Sequence, residues 1–214
     1  MSIRFDTAGE DYHITTGLPG NSIPTTVMMW VFLQVDTNTY QTIFNDNDTN
    51  YFLGCAPDGQ TLIFYDGTDR TTNQVLALGA WNHICLASLG TSRLVYLNGN
   101  LVLNYTSGSS SDAPTSYYFG STSGGSFSYN GRLAAVKLWT ANLSNAEIKR
   151  EMSQQMPIRK SNLYGFWPMI QLDVGGVDFS NYGHTLSASG TLSTEDNPPV
   201  PWISLKNTYK ICYY

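Results

Sequence analysis

The chain has 214 residues and a net charge of −5, with only 13% charged residues but 14 tyrosines and 19 glycines. Its length suits one large β domain or two small ones and can bury a substantial core. The balance is acidic and no Lys/Arg cluster occurs, so a nucleic-acid backbone, which needs concentrated positive charge, is not an expected partner. No run reaches the ~18 apolar residues of a membrane-spanning helix. The opening MSIRFDTAGEDYHI lacks the apolar centre of a secretion signal.

In chain order, Ile3–Asp6 and Tyr12–Thr15 read as short strands around a Gly9 turn. Thr25–Val35, TTVMMWVFLQV, is rich in β-branched and aromatic residues and predicts a buried central strand in which Trp30 is core. Gln41–Phe44, Asn50–Cys55, Thr61–Tyr65 and Val75–Leu78 continue as a meander, punctuated by NDNDTN and by Pro57-Asp58-Gly59. Strand signals recur about every 8–12 residues, as in a sandwich or barrel. The segment Gly79–Val102 carries three apolar strand patterns, Ile84–Leu86, Leu94–Leu97 and Leu101–Leu103. Gly90-Thr91-Ser92 breaks the first pair. Asn98-Gly99, the pair that best accepts positive φ at both centres of a type I′ turn, joins the second.

Beyond Val102 two Ser/Gly-rich stretches, YTSGSSSDAPTS and STSGGSFSYNG, flank the short strand Tyr117–Gly120 and predict surface loops. Leu133 to Trp139 alternates with both faces nearly equally apolar, so one strand is expected there. Ser144 and Glu147 then form a Ser-x-x-Glu capping box, and Ser144–Met152 is the predicted helix. Of the three cysteines, Cys55, Cys85 and Cys212, an odd number cannot all pair within the chain, and Cys85 in its apolar strand reads as a buried thiol. The last residues, TEDNPPVPWISLKNTYKICYY, are set apart by Pro198, Pro199 and Pro201. They fit either a final sandwich strand or a docking tail presenting Trp202, Tyr209, Tyr213 and Tyr214 to a partner.

Several of these blocks, in order, resemble laminin-G-like domains of the concanavalin A-like lectin/glucanase superfamily. Gly79, Trp81 and His83, followed by Tyr96, Asn98 and Gly99, are similar to the family's Gly-x-Trp-x-His and Leu-Tyr-x-Asn-Gly run. Asn130-Gly131, Val136, Trp139, Leu143, Glu147 and Ile148 resemble its strand-then-helix block, although Ala135 stands where an acidic residue is frequent. Leu163–Pro168, LYGFWP, is similar to the strand that follows. Asp178 to His184 is similar to an Asp-x-Ser-Gly-Asn-Gly turn, with Asn181-Tyr182 replacing the Gly-Asn pair. The resemblance covers residues 3–192. It implies an all-β fold, a two-sheet antiparallel jelly-roll sandwich with one short helix, over residues 1–194, with 195–214 as a Pro-punctuated C-terminal segment. It also makes Trp81, His83 and Tyr96 framework, with His83 hydrogen-bonded inside the fold.

The superfamily includes glycanases, whose retaining members need two carboxyl groups about 5–5.5 Å apart. The glutamates are Glu10, Glu147, Glu151 and Glu195, and none falls in a predicted central strand. Glu147 and Glu151, four apart beside Lys149 and Arg150, read as a solvated helix face. Tyr209-Lys210 and Tyr213 are faintly similar to one motif of jelly-roll polysaccharide lyases, without the accompanying Gln-x-His or Arg-x-Glu-x-Arg strands. No Gly-x-Ser-x-Gly turn or phosphate-cradling loop is present. No catalytic residue is therefore assigned.

For binding, Asp46 and Asp48 within NDNDTN form the leading calcium candidate, and Asp66 and Asp69 the second, although the same residues also serve as ordinary turn formers. Tyr40, Tyr51, Tyr65, Phe127 and Tyr129 flank polar loops and offer aromatic faces to a sugar or a protein. The ligand-binding candidates are thus Asp46, Asp48, Tyr51, Asp66, Asp69 and Tyr129. The expected function is a non-catalytic recognition or adhesion module for glycan or a protein surface, with calcium as the one cofactor the pattern admits. A domain of extracellular type without an export signal suits display on a virion or cell surface, as a decoration or attachment protein docked to a capsid or other assembly. A purely structural assembly protein, or a polysaccharide-degrading glycanase or lyase, are the alternatives.

Overall fold

A computed structural model describes residues 2–6, 11–15, 26–45, 52–89, 91–106, 116–169 and 176–201. The chain begins with strands β1 (Ser2–Phe5), β2 (Asp11–Thr15), β3 (Thr26–Leu33), β4 (Gln41–Asn45) and β5 (Phe52–Cys55). It continues through β6 (Thr61–Tyr65), β7 (Asp69–Val75), β8 (Trp81–Leu89), β9 (Ser92–Leu97) and β10 (Asn100–Thr106). After β11 (Ser116–Phe119) and β12 (Gly131–Trp139) come helix α1 (Asn145–Met152) and then β13 (Leu163–Trp167), β14 (Ser187–Ser189) and β15 (Ser193–Glu195). Two antiparallel sheets result. The first runs β10-β9-β8-β3-β12-β1-β15, with β13 also paired to β12, and the second runs β14-β2-β11-β4-β5-β6-β7. This is the expected all-β, two-sheet sandwich.

Period-2 alternation decides which side chains meet between the sheets. Val27, Met29, Val31 and Leu33 of β3 and Ile84 and Leu86 of β8 pack there against Leu53, Cys55, Leu62 and Phe64 of the second sheet. The intervening Met28, Cys85, Ala87 and Tyr96 face outward, where Leu143, Ile148, Leu163, Phe166 and Met156 cover them. An eight-residue helix is marginal on its own. α1 is held by the complete burial of Ile148 and by its capping box, in which Ser144 and Glu147 satisfy each other's backbone N–H. Cys55 and Cys85 are free and buried, and burial pushes the Cys55 thiol up to about 12 and that of Cys85 higher still, as suits inert thiols.

The β8–β9–β10 run forms as expected, with Asn98 at φ 50° and Gly99 at φ 75° between β9 and β10. Asn98 has a second task, because its side-chain carbonyl accepts the His83 backbone N–H at 2.8 Å and extends the ladder past the strand end. His83 itself departs from expectation: its Nδ1 is buried without a partner, and its ring instead meets Trp30 edge-on at 5.3 Å. Trp30 is correspondingly half-buried on the outer face of the first sheet and is not part of the inter-sheet core. Burial, with a smaller effect from the Lys137 charge, pulls the His83 imidazole down to about 3, against an ordinary value near 6.5. Its contribution to stability is therefore complete above about pH 6.5 and is lost as pH falls toward 3. His83→Phe, which keeps a ring against Trp30, is expected to flatten the stability profile between about pH 6.5 and 5, a window above most carboxylate titration. Parallel loss of stability in both chains across that window would exclude His83 as its source.

Three expectations are corrected. The strand predicted at Val75–Leu78 lies earlier, as β7, whose polar, outward-facing Asp69, Thr71 and Asn73 mark an edge strand that hydropathy overlooks. The strict alternation predicted from Leu133 to Trp139 fails at Ala135, which sits at φ 50° in a bulge where the register with β3 skips between Ala134 and Lys137. Leu133 therefore faces the core together with Val136 and Leu138, while Ala135 and Trp139 join the outer cluster.

Glu151 supplies the third correction, since it is 2% exposed and not solvated. Its carboxylate accepts the Lys137 ammonium at 3.0 Å and the backbone N–H groups of Ile158 and Arg159. Lys137 also donates to the Glu151 and Gln154 carbonyls, so the pair fastens the end of α1 to β12. At the C-terminal side, β15 pairs Ser2 with Glu195 and Ile3 with Thr194, so this strand straddles the expected boundary between 194 and 195. Pro198 is buried, and Gln155 holds the Val200 carbonyl through its side chain and that of Pro201 through its backbone.

Candidate functional site

The outer face of the second sheet gathers four aromatic rings. Leu53 and Cys55 of β5 and Leu62 and Phe64 of β6 face the core, so Phe52 and Tyr65, which pair directly across these strands, face outward. Their rings stack at 5.0 Å. Tyr40, which enters β4, places its ring 5.8 Å from Phe52, 6.1 Å from Tyr65 and 5.3 Å from Phe127. Phe127 comes from the Ser/Gly-rich loop before β12, is 46% exposed and has φ 52°. Its carbonyl accepts the Thr42 N–H at 2.7 Å, which fixes the loop to β4.

Polar groups border the rings. Tyr65 lies directly across from Asp69 in the β6–β7 pairing, and the Tyr40 hydroxyl donates to Asp69 Oδ2 at 3.1 Å. Partial burial and then the Asp69 carboxylate raise the Tyr40 pKa, so the phenol stays protonated and remains a donor. Beside Phe127 opens a cleft of about 470 Å³, lined by Asp6, Thr37, Thr39 and residues 125–130. Behind the Asn130 end of this lining lies Gln41, which is fully buried. The Gln41 amide donates to the Val35 and Gly59 carbonyls and its Oε1 accepts the Asn130 N–H.

Among the sequence candidates, Asp69 joins Tyr40, Tyr65 and Phe127 in this one patch. Asp66 does not join it as a free ligand, because its side chain is 4% exposed and accepts Arg70 Nε at 2.9 Å. Tyr129 lies in the stretch that lines the cleft, but at 1% exposure its ring belongs to the inter-sheet core and not to the exposed aromatic face. Asp46, Asp48 and Tyr51, and the tail residues Trp202, Tyr209, Tyr213 and Tyr214, lie outside the described residues. Among the described residues no three His, Cys, Asp or Glu side chains converge as metal ligands.

Two contributors escaped the sequence reading. Gln41 carries no local signal. Gly54 does, since a glycine inside a strand marks a close approach, and a Cβ there would collide with the Gln41 carbonyl of β4. Of the described glutamates, Glu147 caps α1 and binds Arg159, Glu151 binds Lys137, and Glu195 binds Arg4 and Arg132.

No curated protein matches the chain by sequence. Among solved structures it is similar to a protein from Bacteroides ovatus described as a candidate carbohydrate binding protein (TM-score 0.67, 17% identity, 92% of this chain and 60% of that one). The chain thus spans less than two thirds of that neighbour. It is also similar to a heptameric SAP-like pentraxin from Limulus polyphemus (TM-score 0.59, 17% identity, 90% and 93% of the two chains). The sialidase of Trypanosoma rangeli matches with TM-score 0.59 and 13% identity over 72% of this chain and 27% of that one. A family model described as concanavalin A-like lectin/glucanases superfamily matches residues 7–149, more than half of the chain. With that match lying on the two-sheet sandwich described above, the chain belongs to the concanavalin A-like lectin/glucanase superfamily.

Proposed function

We propose that the chain is a non-catalytic, lectin-like carbohydrate-binding module that engages glycan through the Tyr40–Tyr65–Phe127 face. The observation that carries this is the convergence of these rings with Asp69 beside an open cleft. Flat aromatic faces take the C–H side of a sugar ring, and a carboxylate beside them accepts its hydroxyls. The likeness in fold to a candidate carbohydrate binding protein supports the class. Glycosidase chemistry fits less well, because the described glutamates are committed to capping or ion pairs. Tyr40→Ala, Tyr65→Ala and Phe127→Ala are each expected to weaken the strongest array-identified glycan about tenfold by titration calorimetry. Phe179→Ala and Tyr182→Ala, exposed aromatics outside the patch, should leave affinity unchanged. Full affinity in all three site variants, or release of sugars from polysaccharide by the wild type, would overturn the proposal.

A second role, in adhesion or virion decoration, draws support from where Gln155 holds Val200 and Pro201, beside α1 on the outer side of the first sheet. Deleting residues 202–214, with Trp202, Tyr209, Tyr213 and Tyr214, is expected to leave the sandwich folded and abolish incorporation. Unchanged incorporation would sink the docking role.

A further inference from the structure

We infer that the site selects uncharged glycans and rejects sialylated, sulfated or uronic-acid chains, an assignment that rests on the glycan-recognition reading above. Tyr40, Tyr65 and Phe127 supply faces for C–H groups and no positive charge. Asp69 supplies the polar rim. Asp69 is exposed, and its Oδ2 accepts the Tyr40 hydroxyl. A carboxylate accepts hydroxyls strongly and repels a second anion brought to the same rim.

The described cations bordering the patch, Arg70 and Arg4, are already engaged. Arg70 gives its Nε to Asp66 at 2.9 Å, and its guanidinium lies over the Tyr105 ring at 4.2 Å, turned toward β10. Arg4, next to the cleft, is paired with Asp6 and Glu195, each at 3.3 Å. Among the described residues no lysine lines the cleft. Asp36 and Asp58 flank the nearby Gly59 turn and add to the same sign of field. An anionic ligand stacked on these rings would lose hydration close to Asp69 and gain no guanidinium in exchange, whereas an uncharged sugar meets neither cost. The chain as a whole, at −5, reinforces the discrimination.

The test uses the full chain on an array of matched pairs differing only in charge. The pairs are asialo and sialylated N-glycans, desulfated and sulfated galactans, and methyl-esterified and free galacturonan oligosaccharides. Hits confined to uncharged members, with charged partners weaker by about tenfold or more at physiological salt, are the expected result. Equal or stronger binding of the charged members overturns the inference while leaving glycan recognition standing. A blank array overturns the glycan-recognition reading itself. Asp69→Asn retains an acceptor for Tyr40 while removing the charge, and it should narrow the gap between pair members severalfold. An unchanged gap in that variant shows that Asp69 does not set the selectivity and refutes the electrostatic argument.

Discussion

Glu151→Ala is expected to lower the free energy of unfolding by about 3–5 kcal/mol, the range for removing one partner of a buried ion pair. Lys137 and Glu151 are each 2% exposed, so the variant strands an ammonium that burial already disfavours and brings down to about 8. The loss extends further, because the same carboxylate accepts the backbone N–H groups of Ile158 and Arg159 as the chain turns away from α1. Urea unfolding should show a lower midpoint with an unchanged slope. The double variant Lys137→Met/Glu151→Leu removes both charges and should recover part of the loss. It still leaves those two N–H groups unsatisfied, a deficit of roughly 1–3 kcal/mol each if they stay dry. A single-variant loss below ~1 kcal/mol would show that water reaches the pair and that it is not a clamp.

Asp178→Ala is expected to cost about 2–4 kcal/mol, from stranded backbone donors at a turn. Asp178 Oδ1 accepts the N–H groups of Phe166 and Ser180 at 2.9 and 2.8 Å, and Oδ2 accepts Ser180 Oγ at 2.6 Å and the His184 N–H at 2.9 Å. One carboxylate thereby joins β13 to the turn that follows it. Asp178→Asn retains one carbonyl acceptor and should cost about half as much. Thermal unfolding of the two variants separates the cases, and equal losses would mean that charge, not acceptor count, carries the effect.

Legibility in the sequence followed the range over which each feature is determined. The Asn98-Gly99 turn, the Ser144/Glu147 capping box and the Asp178-x-Ser180 turn are settled within a few residues, and each was visible. The Ala135 bulge was not, because nothing local marks an alanine for positive φ; the pairing of β12 with β3, β1 and β13 imposes it. Glu151 was misread for a related reason. Its helical neighbours Lys149 and Arg150 suggested solvent, while its partner Lys137 lies on a strand fourteen positions earlier. At the site, aromatic composition drew attention to Tyr40, Tyr65, Phe127 and Tyr129 alike. Separating the three surface rings from the buried one required the register of β4, β5 and β6 and the loop pinned at Thr42.

The left-handed backbone of Phe127 sets the requirements of folding against those of recognition. A residue with a Cβ is disfavoured in that region by about 1–2 kcal/mol relative to glycine. Backbone conformation alone would favour glycine there, as at neighbouring Gly125 with φ 69°. The usual ranking of alanine over glycine should invert at this position, with Phe127→Gly more stable than Phe127→Ala by about 1 kcal/mol. The ring at residue 127 meets Tyr40 inside the chain at 5.3 Å, and on the glycan-recognition reading proposed above its exposed side is what that backbone strain is spent to present.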